Sequence, residues 1–404
     1  MAQQGRKRKL GQAVAVTVLS LTLVPSCWAG PKYNVLHAFG AGKDGAGLWS
    51  SVVFDKTGNL YSTTSGGGAY GYGTVFQLRP GSNGKWSESL LRSFRNNDPN
   101  GDDPNGGLIF DTTGHLYGTT LVGGPDHDGV VFEMTPGSHG WKEKVLHAGG
   151  SWASVVLDPI GNLYGTTEKF VFELQSDSGN WTEKVIHRFC SWSNCRDGVD
   201  SFAGLILDAA GNLYGTTRAG GTGCGGNGCG TVFELIPTSG GGWKEAVLHA
   251  FDNNGIDGDP PGWGTLAMDR AGTLYGTTAG GGCCGGVVFK LTPQTDGHWK
   301  ETILYDFKGG ASGFGPGAGV VMDKAGNLYG TTVYGGSSSC GCGVVYKLAP
   351  TAKGKWTYTV LHTFTGNDGA QPDANLILDS QGNLYGTTAT GGANGGGVVF
   401  ELTP

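Results

Sequence analysis

Residues 206–217 read Ile206-Leu207-Asp208-Ala209-Ala210-Gly211-Asn212-Leu213-Tyr214-Gly215-Thr216-Thr217, and this stretch decides the fold. An apolar run enters an aspartate, a glycine follows three residues later, and a β-branched and aromatic run follows that. Asp-x-x-Gly is a turn with a mechanism: the carboxylate caps backbone amides and the glycine supplies a positive φ. The two flanking runs then read as antiparallel strands joined by that turn. The first has so little polarity that it suits a strand buried on both faces.

The same stretch recurs. Gly-x-Leu-Tyr occurs seven times, with its glycine at Gly58, Gly114, Gly161, Gly211, Gly272, Gly326 and Gly382, and each glycine stands three residues after an aspartate, from Asp55 to Asp379. The spacing is 47 to 61 residues. Each copy carries two further strand signals: a Gly-[Thr/Val]-Val-Phe-x-Leu run such as Gly230 to Leu235, and a Trp-x-x-x-x-[Leu/Ile]-x-x-Phe run such as Trp243 to Phe251. A four-stranded antiparallel meander repeated about every fifty residues is the signature of a propeller blade. The 78 glycines fit this reading, because they recur at fixed offsets between strand-like runs.

Closure supplies an independent check. The repeats begin with a lone fourth strand, Tyr33 to Phe39, and end on a third strand, Gly397 to Leu402. The N-terminal strand is therefore expected to complete the last blade, removing an exposed edge. The reading is all-β: a seven-bladed β-propeller over residues 30–404, four antiparallel strands per blade, blade 7 formed by 374–404 plus 32–39.

Residues 1–29 read as a secretory signal peptide, with a basic segment at Arg6, Lys7, Arg8 and Lys9, an apolar run from Leu10 to about Val24, and Ala29 as the last residue removed. Cys27 also suggests lipoprotein processing, although Pro25 beside the cut argues against it. No other segment reads as a membrane span. Without the leader, 23 basic residues face 33 acidic ones, about −10, and no basic stripe is present. That excludes nucleic acid as an expected partner. An extracytoplasmic, monomeric protein is expected: secreted, periplasmic or on the cell surface.

The eight remaining cysteines form four local pairs, Cys190/Cys195, Cys224/Cys229, Cys283/Cys284 and Cys340/Cys342. An even count in an exported chain favours disulfides, with cross-pairing between neighbouring loops the alternative. No pair has histidine at a zinc-ligand spacing, so no metal site is expected among them.

The Asp-x-x-Gly-Asn-Leu-Tyr-Gly-Thr-Thr, Gly-Gly and Gly-Thr-Val-Phe-Glu-Leu-x-Pro elements resemble the GloVer tandem repeats of exported bacterial proteins, over essentially all of residues 33–404. The turn is more distantly similar to that of NHL-type propellers, which are mostly binding scaffolds. The resemblance carries no established activity. Members often have a C-terminal sorting or anchoring segment; this chain reaches Pro404 within its last blade, and no such anchor is expected.

Strand alternation sorts the loops onto two faces. The second-to-third and fourth-to-first loops share the face that carries the variable insertions and all the paired cysteines, and a site is expected there. Six residues before each turn aspartate stand Trp49, Asn105, Trp152, Phe202, Trp263, Gly317 and Asp373, where the innermost strands begin. Three tryptophans and a phenylalanine at a channel mouth suit a sugar ring or a peptide; the plainer reading is gap-filling between neighbouring blades. Asp126, His127 and Asp128 add a candidate metal-binding or general-base cluster, with a solvated turn as the plainer reading. Asp98-Pro99-Asn100-Gly101-Asp102-Asp103 offers oxygens to calcium but completes no known calcium loop, and Asx turns explain it too. Otherwise no cofactor is expected.

The repeated strand-four residues His37, His147, His187, His249 and His362, and the strand-four tryptophans, read as structural. Blade 3 has short loops at Gly149-Gly150-Ser151 and Glu168-Lys169-Phe170, which predicts a notch in that face. The functional expectation is a non-enzymatic scaffold recognising a glycan or peptide. The alternatives are a carbohydrate-active hydrolase or lyase using acids such as Asp126, Asp128, Asp197, Asp200, Asp257, Asp259 or Asp373, and a purely structural surface protein.

Overall fold

The structure is a computed structural model describing Met1 and residues 30–404 apart from positions 178, 227 and 284. The expected leader at 2–29, including the Cys27 site, lies outside the described residues, and so does Cys284. Residues Pro31–Pro404 form one compact unit. It contains seven four-stranded antiparallel sheets arranged as propeller blades.

Blade 4 shows how each sheet is built. Its strands run Ile206–Leu207, Leu213–Thr217, Thr231–Pro237 and Trp243–Ala250, hydrogen-bonded in that order. At the turn, Asp208 Oδ1 accepts hydrogen bonds from the amides of Ala210 and Asn212, at 2.8 and 2.9 Å, and Gly211 sits at φ +89°. The Tyr214 hydroxyl reaches Asp208 Oδ2 at 3.2 Å, so the motif's tyrosine and aspartate clamp the hairpin from both sides. The motif glycine has a steric reason. Gly215 pairs with Phe233 on the third strand, and a Cβ there would lie 2.6 Å from Phe233 Cζ.

The innermost strand corrects one expectation. Only two residues per blade form regular first strand, such as Val53–Phe54, and they are half-buried rather than buried on both faces. Each is an inner edge, hydrogen-bonded to a partner on one side alone.

Packing lies between blades. Tyr214, Val232 and Phe251 of blade 4 form one cluster with Leu266, Leu274, Phe289 and Leu291 of blade 5, and equivalent clusters join the other neighbours. The strand-four tryptophans join these clusters: Trp243 meets the ring of Tyr164, and Trp299 that of Tyr214, each from the following blade. Their structural reading holds.

Closure holds too. Lys32–Ala38 pairs antiparallel with Val398–Thr403. Phe39 and Val399 then pack with Leu48, Val52 and Phe76 of blade 1, sealing the seam between the chain's two ends.

Candidate functional site

The two loop groups meet on one face as expected. Single bridges tie the fourth-to-first loop to the second-to-third loop in six blades, from Ala46–Gly66 to Ala370–Thr390. In blade 3 the second-to-third connection shrinks to three residues, closed by the Thr167 amide donating to the Phe170 carbonyl at 2.8 Å.

Threonines of the second strands hold the start of the inner strand in place at four blade junctions. Thr387 donates to the Ser50 carbonyl at 3.0 Å, Thr119 to Ala153 at 3.0 Å, Thr166 to Ala203 at 3.2 Å and Thr277 to Ala318 at 2.8 Å. Each bond runs from one blade to the next, and each acceptor neighbours a position that faces the channel mouth. The Gly-Thr-Thr repeat is thus the device that fixes those side chains.

A cavity of about 450 Å³ opens there. Trp49, Asn105, Trp152, Phe202, Trp263 and Asp373 line it, six of the seven residues at the repeated position. Gly317 is the seventh. A Cβ on Gly317 would collide with Asp373 Oδ1, so glycine there makes room for the neighbouring carboxyl. Trp152, Phe202 and Trp263 form a three-ring cluster, with centroids 5.1 to 6.2 Å apart. Trp49 and Trp152 remain 43% exposed and Trp263 39%, with Arg218 over the Trp263 ring at 5.0 Å. Side chains that only filled gaps between blades would be buried as the core phenylalanines are, and these are not.

The cavity's charged lining is acidic. Burial raises the Asp373 carboxyl to about pH 7, and its Oδ1 is buried without a hydrogen-bond partner. Burial, reinforced by the neighbouring Asp102 charge, also raises Asp103, which accepts a hydrogen bond from Asn105 Nδ2 at 3.1 Å. Asn375 and Ser154 were not singled out by sequence reasoning, and Asp103 only as one oxygen of a candidate calcium stretch. They lie outside the register at which the tryptophans repeat.

Other candidates lie elsewhere. Asp126, His127 and Asp128 are exposed on their loop, and none lines the cavity. Asp98 binds Arg92 Nη2 at 2.8 Å and caps the Asn100 amide, and Asp102 accepts the Asn97 amide. Asp197 and Asp257 face the strand-four histidines His187 and His249, remote from the cavity lining. Three of the cysteine pairs are disulfides, Cys190–Cys195, Cys224–Cys229 and Cys340–Cys342, each local rather than cross-paired.

The model of the Gloeobacter/Verrucomicrobia repeat matches residues 8–226, 152–341 and 284–404. Comparison with curated proteins finds no match. Among solved structures, the chain resembles the extracellular domain of a Bacteroides thetaiotaomicron protein named as a hybrid two component system, at 14% identity and TM-score 0.56. That likeness covers 93% of this chain and 42% of the other, so this chain spans less than half of that protein's length. It also resembles a Bacteroides uniformis protein named as a 6-phosphogluconolactonase, at 14% identity and TM-score 0.53, over 84% and 89% of the two chains. At this identity both likenesses bear on fold alone.

Proposed function

Since the chain belongs to the Gloeobacter/Verrucomicrobia repeat family, whose repeats here build a propeller with disulfide-braced loops, we propose that it is an extracytoplasmic binding scaffold whose channel-mouth cavity takes a glycan. The observation that carries this reading is the cluster of the exposed Trp152 and Trp263 rings with the half-buried Phe202 ring inside a cavity of small-ligand size. Sugar rings present apolar C–H faces edged with hydroxyls. Aromatic faces accept the former, and Asp103, Asn105, Asn375 and Ser154 around the rings supply partners for the latter. No basic side chain stands among the lining residues to pair with an anionic sugar, so the ligand class is a neutral oligosaccharide. Cleavage of the leader over residues 1–29 and export of a monomer belong to the same proposal, and the three disulfides suit an extracellular or secreted protein.

A glycan-array screen of the folded protein, run beside a Trp49→Ala/Trp263→Ala double variant, tests it. Neutral glycans retained by the wild type and lost by the variant support the reading. A folded wild type that retains none rejects it.

A second reading, glycoside hydrolysis, is favoured by Asp373 alone. A carboxyl held protonated up to about pH 7 is in the state a general acid needs. It requires that a bound glycan be cleaved and that Asp373→Asn abolish cleavage without abolishing binding.

A further inference from the structure

The outer rim repeats a second arrangement that the channel mouth does not use. One strand-four position carries His37, Arg92, His147, His187, His249, Tyr305 and His362, and each faces the outer strand of the next blade. Four residues before it on the outer strand stand, in register, Tyr33, Glu88, Glu143, Glu183, Glu245, Glu301 and Tyr358. Contacts therefore run from blade to blade: Arg92 to Glu143, His147 to Glu183, His187 to Glu245, Tyr305 to Tyr358. In several blades an aspartate of the following loop joins from its own blade, as Asp98 joins Arg92 and Asp197 joins His187.

At the junction of blades 1 and 2 a fixed positive charge stands between the carboxylates, although Arg92 Nε and Glu143 Oε1 make no hydrogen bond. The Arg92 guanidinium lies between two carboxylates, 2.8 Å from Asp98 and 2.9 Å from Glu143. At the junction of blades 5 and 6 both carboxylates are gone. Ser312 stands in the loop, and Tyr305 stacks on Tyr358 at 4.0 Å. The junction of blades 3 and 4 fits neither solution. Both carboxylates remain, while histidine replaces the arginine between them.

In that cluster Asp197 has partners, its Oδ2 accepting from the Ser191 amide and hydroxyl at 2.7 Å, but Glu245 and His187 do not. The Glu245 side chain is 3% exposed and Asp197 fully buried, yet both Glu245 oxygens and His187 Nε2 have no hydrogen-bond partner. His187 Nε2 lies 3.8 Å from Asp197 Oδ2 and 3.5 Å from Glu245 Oε2. These separations are long for hydrogen bonds. The 3.5 Å separation matches the edge of a tetrahedron whose donors each stand about 2.0–2.2 Å from a central ion, roughly 3.3–3.6 Å, and the 3.8 Å one is slightly longer, within the 4.8 Å that bounds all three donors. His187 is 11% exposed, which leaves an approach for water as a fourth ligand.

We propose that His187, Asp197 and Glu245 bind a divalent transition ion of the zinc class, which staples the outer strands of blades 3 and 4 as Arg92 staples those of blades 1 and 2. The imidazole donor selects against calcium and magnesium, which take oxygen ligands. The ion also supplies the positive charge that Arg92 supplies at its own junction. His37, Asp44 and Glu88 repeat the donor set between blades 7 and 1, and His249, Asp257 and Glu301 between blades 4 and 5. There His249 Nε2 already meets Asp257 at hydrogen-bond distance, 3.1 Å. Cys224, Cys229 and Asp259 also converge, but those thiols are joined as a disulfide and offer no thiolate.

The test uses the full chain with its disulfides intact, treated with a chelator, dialysed and titrated with zinc by calorimetry, with bound metal counted per chain. His187→Arg copies the blade 1–2 junction and is expected to fold normally while binding one equivalent fewer. Glu245→Gln keeps the shape and is expected to weaken that equivalent by tenfold or more. Zinc X-ray absorption should show nitrogen and oxygen neighbours without sulfur. Unchanged stoichiometry and affinity in both variants, sulfur in the coordination shell, calcium bound in place of zinc, or no zinc retained by the wild type would each overturn the proposal.

Discussion

Asp373 concentrates the site's chemistry in one residue. Its position in the repeat gives tryptophan or phenylalanine in four other blades, and Gly317 in blade 6 clears the space it occupies. Burial raises its carboxyl to about pH 7, well above the range of an unfolded aspartate near 4. The folded state therefore holds a proton that the unfolded state releases. Stability from this group is present below about pH 4, falls as pH rises toward 7, and stays low above that. Asp373→Asn should remove this dependence and stabilise the protein by roughly 1–3 kcal/mol at pH 8, with little change at pH 4. Urea denaturation at the two pH values measures it; equal effects at both would mean that Asp373 is not a buried acid. Asp373 was visible in the sequence as a channel-mouth residue. Its burial was not, because that depends on a glycine in the adjoining blade.

Among elements, the second strand carries the most information. Its Leu-Tyr-Gly-Thr-Thr run places a core leucine, a tyrosine on the turn aspartate, a glycine under the third-strand phenylalanine, and a threonine that bonds across to the next blade. That density is why the repeat was legible without any structure. Gly215→Val should destabilise the protein by roughly 1–3 kcal/mol, because no β-carbon fits under Phe233 without moving a strand. Blade 1 carries Ser62 opposite Phe76 at this position, so Gly215→Ser should cost less. Chemical denaturation of both variants checks the order, and a neutral valine would refute the close approach. The outer strand was read only in part. Its histidines were recognised as a repeated position, but the glutamates two residues after each tryptophan, Glu88, Glu143, Glu183, Glu245 and Glu301, went unnoticed as their partners. That pairing crosses blades, and a repeat aligned within one blade hides it.

For the whole molecule, stability is distributed over seven seams, and the one between the chain's ends is closed by a single strand. Deleting residues 30–39 should uncover the edge of Val398–Thr403 and the Phe76 face of blade 1 together, giving self-association and a lower melting temperature. Light scattering and a thermal melt measure both effects; a monomer of unchanged stability would contradict the closure. Blade number and closure followed from counting strands. The cavity did not, since its lining gathers residues from six blades separated by most of the chain. What the sequence did reveal was the register: Trp49, Trp152, Phe202 and Trp263 occupy one repeated position, and a ring brings equivalent positions to a common mouth.

The claim that this mouth is a glycan site is tested most directly by the affinity of an array-selected neutral oligosaccharide for three proteins: wild type, Trp152→Ala/Trp263→Ala, and Trp192→Ala. Trp192 is also exposed, at 46%, but lies on a loop away from the cavity lining. The account predicts that the double variant loses about 2 kcal/mol or more of binding, at least roughly thirtyfold in Kd, while Trp192→Ala binds as the wild type does. Equal affinity in all three, or a loss confined to Trp192→Ala, would contradict it.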